Sequence, residues 1–167
     1  MATATKSKTR TSKNTSKVTT PTDSTIHIER VFDATRARVW KAHTDPKLLA
    51  QWWGRGNKLD IEKYEFVKGG HWRFVEHSPH GVHGFEGRFR EVTPPTRIVQ
   101  TFEWDGMPGH VIVETTTFED LGGGRTRVVN TSLFHTTEER DGMLQSGMEQ
   151  GLNESYAALD RLLATLG

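Results

Sequence analysis

The sequence predicts one α+β domain: a curved antiparallel sheet of six or seven strands, two short helices after the first strand, and a long C-terminal helix over an internal pocket. Three observations lead there. Strand-like runs follow one another through connectors of a few residues, two helix signals fall between the first run and the rest, and the apolar period becomes helical near residue 137. Such connectors permit only antiparallel neighbours, because a parallel crossover needs about a dozen residues or more. The strands therefore form a meander, and helices on one face of such a sheet make an α+β layer arrangement.

Residues 1–24 carry Lys6, Lys8, Arg10, Lys13 and Lys17 among Thr and Ser, with Asp23 the single acid. So little apolar surface predicts a disordered basic tail, and the domain is placed at 25–167. Ile26, Ile28, Val31 and Phe32 interspersed with polar residues read as the first strand. Asp33, Ala34 and Thr35 offer a cap for a helix over 35–42; Asp45 caps a second over 45–53, with Pro46 at its first position and Gly54 and Gly56 after it. Strands are expected at 58–67, 70–77, 82–92, 97–105, 110–119 and 125–134, each bounded by turn residues. From Thr137, Glu138 and Glu139, which suit a helix start, one helix is expected to run to about residue 164. Its stripe is Leu144, Met148, Leu152, Ser155, Leu159 and Leu162, with Gly147 and Gly151 beside it. Two glycines in a helix interior, each costing about 1 kcal/mol against Ala, point to close packing or to space left empty.

Composition narrows the function. The 167 residues are 34% hydrophobic and 26% charged, and no apolar run approaches the ~18 residues that span a bilayer, so no membrane role is expected. Cysteine is absent, which removes disulfides, thiolate metal sites and cysteine nucleophiles and fits a reducing, cytoplasmic location. The tail holds a net charge of +4 against +1 overall, which leaves the folded part mildly acidic, and nucleic acid is not expected as a partner.

Strand alternation assigns faces. Trp72 and Phe74 share the side toward the long helix, opposite His71, Arg73, Val75 and His77; Phe85, Phe89, Phe102 and Trp104 point inward as well. With Phe118 inward, Ile112, Glu114 and Thr116 join it; with Val128 inward, so do Thr126, Asn130 and Ser132. A carboxylate on a concave apolar face is costly unless hydrated or paired. Either Glu114 faces a wet pocket, or the register slips at a bulge and turns it to the surface. Trp52 and Trp53, adjacent beside glycines, are not both expected inward; one would gate the mouth. His71, His77, His80 and His83 lie within thirteen residues, but the spacing of a zinc helix is absent and Pro79 and Gly81 mark a hairpin tip, so no metal is expected. Gly122, Gly123 and Gly124 lack the Lys and helix of a phosphate cradle and read as a turn.

Several local patterns then carry a resemblance: Val31-Phe32-Asp33-Ala34 with Val39-Trp40, Asp45-Pro46 with Trp52-Trp53-Gly54, Gly69-Gly70-His71-Trp72-Arg73-Phe74, Gly87 to Val92 followed by Pro94 to Ile98, and Phe118-Glu119-Asp120 with Gly124 to Val128. In this order the chain resembles the START-like (SRPBCC) superfamily over 25–166, in particular the family related to the activator of heat-shock-protein ATPase. The resemblance implies a helix-grip fold. It spans ligand carriers, polyketide cyclases and co-chaperone domains, so fold alone does not fix function. The eukaryotic co-chaperone has a separate N-terminal docking domain, where this sequence has only the basic tail.

Three readings follow. The first is a cofactor-free domain binding a small hydrophobic or aromatic molecule through Trp52, Trp53, Trp72, Phe74, Phe85, Phe89, Phe102, Trp104, Glu114, Asn130, Met148, Gly151 and Leu152. The second is a metal-independent cyclase- or dehydratase-type enzyme with Glu114 as acid or base. The third is a chaperone-associated stress-response module. A monomer or a homodimer fits each.

Overall fold

Alternation builds the first long strand: Thr25–Phe32 (β2) buries Ile26, Ile28, Arg30 and Phe32 and leaves the residues between them half-buried. The computed structural model describes residues 15–166. Before β2 lies Lys17–Thr19 (β1); after it come Arg36–Thr44 (α1) and Pro46–Leu49 (α2). The meander follows as Lys58–Tyr64 (β3), His71–Ser78 (β4), Gly81–Thr93 (β5), Arg97–Trp104 (β6), Ile112–Gly122 (β7) and Arg125–Leu133 (β8), and the chain closes with Thr137–Gln145 (α3) and Met148–Thr165 (α4). All eight strands are antiparallel in one sheet, ordered β1-β2-β8-β7-β6-β5-β4-β3.

The sheet has one strand more than the expected six or seven. Lys17–Thr19 pairs with His27–Glu29 along the free edge of β2, so the ordered structure begins inside the segment expected to be disordered. Three residues need no core of their own when an existing edge supplies their hydrogen-bond partners. The rest of that expectation, for residues 1–14, lies outside the described residues.

Two helix expectations are corrected. The second short helix spans only Pro46–Leu49; Asp45 Oδ1 accepts from Lys47 N at 2.9 Å as expected, but turns occupy the chain from Ala50. The terminal helix is two helices. Gly147 takes φ +83, a left-handed conformation that glycine adopts without strain, and it separates α3 from α4. That break leaves Leu144 36% exposed, off the expected stripe. The α3 cap is Thr136, whose Oγ1 accepts from Glu139 N at 3.1 Å, one residue before the expected start.

The C-terminal half of α4 is fastened to the sheet. Tyr156, Ala158, Leu159, Leu162 and Leu163 are buried, whereas Met148 and Leu152 nearer its start are only half-buried. Arg30 reinforces the fastening from β2: its guanidinium donates to both carboxylate oxygens of Asp160 at 2.8 and 2.6 Å and lies 4.7 Å from the Phe32 ring centroid. The Asp160 side chain is 37% exposed and that of Arg30 only 7%, so the partners differ in what they lose when separated. Asp160→Ala strands a buried cation and is expected to cost about 3 kcal/mol, while Arg30→Met leaves a carboxylate that water reaches and is expected to cost about 1 kcal/mol. Urea denaturation of both variants checks this order; equal losses contradict it.

A cavity between the sheet and the terminal helix

Between the concave face and α4 lies a cavity of about 360 Å³. Aromatic rings from both layers form its walls. Trp72 and Phe74 on β4, Phe85 and Phe89 on β5, and Phe102 on β6 contribute the sheet side; Met148, Gly151 and Leu152 contribute the helix side. Trp52 and Trp53 both line it, against the expectation that one points away. The chain there is a turn rather than continuing helix, so successive side chains are not thrown to different faces. Trp52 donates its indole N–H to Ala42 O at 2.9 Å, and Trp53 reaches over to Phe74 and Phe85, each at 5.2 Å between ring centroids.

Trp104 is the one predicted residue that does not line the cavity. It is 36% exposed, and its ring folds against the turn after β6, where a Cβ on Gly106 would fall 2.4 Å from it.

Glu114 faces the cavity. The β7 irregularity lies between Asp120 and Gly122, so alternation from Phe118 back to Ile112 is unbroken. Register places Gln100 of β6 and Ser132 of β8 on either side of Glu114, and Asn130 opposite Thr116. Asn130 donates to Thr116 Oγ1 at 2.9 Å and accepts from Ser132 Oγ at 3.2 Å, so that part of the polar strip is internally satisfied. The Glu114 carboxyl has no hydrogen-bond partner among the described residues. Desolvation raises its pKa from 4.5 to about 7. Its side chain is half-buried and lines the cavity.

Sequence reasoning passed over other polar groups there. His43 on α1 donates from Nδ1 to Val39 O at 2.8 Å, which leaves Nε2 as an acceptor in the neutral ring; burial lowers its pKa to about 4. Tyr156 on α4 is raised to about 12, first by burial, with Arg30 opposing and Glu114 adding to the rise. Glu76 on β4 is buried and lines the cavity two residues beyond Phe74. Each was within reach of simple spacing: His43 follows Val39 by one helical turn, Tyr156 follows Leu152 likewise, and Glu76 has the parity of Trp72 and Phe74.

The clustered histidines sit apart from this chemistry. His71 Nε2 is 3.0 Å from Glu86 and His77 Nε2 is 2.7 Å from Asp60. Among the described residues no helix is long and apolar enough to cross a membrane.

A bent antiparallel sheet holding a C-terminal helix over an aromatic-walled cavity defines a START-like, helix-grip domain. The chain belongs to the family described as Activator of Hsp90 ATPase homolog 1-like protein, whose model matches residues 33–164. A crystal structure of a Rhodobacter sphaeroides protein is similar at 29% identity and a TM-score of 0.82, covering 91% of this chain and 99% of that one. A solution structure from Arthrobacter aurescens is similar at 27% identity and a TM-score of 0.80, covering 89% and 91%. A Mycobacterium smegmatis crystal structure, 20% identical with a TM-score of 0.80 over 89% and 96%, shares the fold. No curated protein matches the chain.

The raised Glu114 pKa has a definite sign in stability. Between 4.5 and about 7 the folded carboxyl keeps a proton that the unfolded one has lost, so stability falls as pH rises through that window. Relative to wild type, Glu114→Gln is therefore expected to gain stability between pH 4.5 and 8, by on the order of 3 kcal/mol at most. Urea denaturation of the two proteins at both pH values measures the difference, and a gain toward acid pH contradicts the assignment.

Proposed function

We propose that the protein binds a small hydrophobic or aromatic molecule in this cavity. The supporting observation is the pairing of aromatic walls with the unpartnered carboxyl of Glu114, next to Thr116, Asn130 and Ser132, which satisfy one another. About 360 Å³ falls at the low end of small-molecule sites, roughly 300–1,000 Å³. Burial of aromatic area supplies affinity, and Glu114 with the Tyr156 hydroxyl supplies orientation, since a ligand hydroxyl or amide can satisfy both where the protein does not.

A second reading has its own observation. A carboxyl at about 7 is poised to exchange a proton near neutrality, and Tyr156 and His43 line the same cavity. Proton transfer at a bound carbonyl or hydroxyl, as in cyclisation or dehydration, is the chemistry this supports. It requires binding first.

A thermal-shift titration with 4-phenylbutan-1-ol tests the binding reading. At 100 times its dissociation constant a ligand adds about 2.7 kcal/mol, so the midpoint is expected to rise by several degrees in wild type and to stay unchanged in Leu152→Trp, which fills the helix side. No rise in wild type, or an equal rise in both, removes the proposal. For the second reading, Glu114→Gln is expected to cut turnover of any substrate found by about 100-fold or more while leaving its affinity within a few-fold.

A further inference from the structure

We propose that the cavity is built for a ligand carrying an amino or other cationic nitrogen, which Glu76 holds in a corner formed by Trp53, Phe74 and Phe85. This deepens the binding reading and rests on it. Glu76 is only 6% exposed, lines the cavity, and has neither a hydrogen bond nor an ion pair among the described residues. A carboxylate so placed costs several kcal/mol unless something compensates it. The protein makes room for it: Gly54 takes φ +72, and a Cβ there would lie 2.9 Å from Glu76 Oε2. Positive φ favours glycine at that position, and a side chain there would push on the end of Glu76.

Among the described residues no cation pairs with Glu76. Arg55 lines the cavity, but its guanidinium lies on α4, where a Cβ on Gly151 would fall 2.9 Å from Nε. Arg73, on the other face of β4, donates to both oxygens of Asp105 at 3.0 and 2.7 Å. His83, the cross-strand partner of Glu76, packs its ring 6.1 Å from Trp104 and forms no ion pair with Glu76. Beyond its cross-strand partners Leu59 and His83, the same face carries π surface. Phe74 precedes it on the same face and pairs in register with Phe85, and the Trp53 ring stands edge-to-face with both at 5.2 Å. Aromatic rings around one carboxylate favour a cation over a neutral donor, because the ring quadrupoles and the carboxylate act on the same positive charge. A neutral hydroxyl can donate to the carboxylate but lacks the full charge that the rings attract, and an anionic head group satisfies neither.

The test compares two near-isosteric probes, 4-phenylbutylamine and 4-phenylbutan-1-ol, by calorimetric titration of the full chain at pH 7. Wild type is expected to bind the amine at least 10-fold more tightly. In Glu76→Gln, which keeps size and shape, that ratio is expected to fall to about one with alcohol affinity within two-fold, whereas Glu114→Gln keeps the amine preference. Equal affinities in wild type, a preference that survives Glu76→Gln, or one lost in Glu114→Gln instead, overturns the assignment and leaves cavity binding intact. Failure of both probes to bind overturns the binding reading and this inference together. The wild-type comparison needs no substitution, so the inference stays testable if Glu76→Gln fails to fold.

Discussion

The architecture depends on a helix fastened at one end only. Tyr156, Leu159, Leu162 and Leu163 press the C-terminal half of α4 onto the sheet, and the Arg30–Asp160 pair ties it to β2. Each fully buried leucine contributes about 1.5–3 kcal/mol, so this half is held firmly enough to carry the other across open space. The Gly147 break sets where α4 begins, and Gly151 presents only backbone to the cavity and to Arg55. The hollow thus follows from how the helix is attached and from side chains withheld along its first turns.

A hollow of this kind changes what an acidic side chain can do. In a close-packed core Glu114 and Glu76 would each need a partner, and neither has one. They lie far apart in the sheet, Glu114 on β7 beside Gln100 and Glu76 on β4 opposite His83, so they serve different parts of whatever occupies the space. Glu114 lies close enough to Tyr156 for its charge to act on that hydroxyl, a setting suited to hydrogen bonding and proton exchange. Glu76 stands among rings, a setting suited to positive charge. Of the other polar lining, Tyr64, Thr116, Asn130, Ser132 and Ser155 are already hydrogen-bonded within the protein, so the two carboxyls are the strongest acceptors left to a ligand.

Much of this was legible because strands carry their own parity. Trp72, Phe74, Phe85, Phe89 and Phe102 face the helix as alternation requires, and Glu114 and Asn130 follow from Phe118 and Val128 because the β7 bulge falls beyond Asp120. Other features depend on contacts that parity does not encode. Trp104 has the inward parity of Phe102 but folds onto the Gly106 turn, and Trp53 enters the cavity through a turn that a helical pattern concealed. The break at Gly147 was hidden because apolar spacing runs straight across it, and β1 because three strand residues with a ready-made edge leave almost no pattern. Glu76 follows Trp72 and Phe74 with the same parity, but an acid carries no apolar signal to mark it as inward.

The most direct test of the hollow is a high-resolution crystal structure of the full chain. Ordered water or an unassigned molecule touching the Glu114 carboxyl, between Trp72 and Leu152, is the result this account predicts. Density showing Met148 and Leu152 packed down on Trp72 and Phe102, with no free volume between the layers, would contradict it.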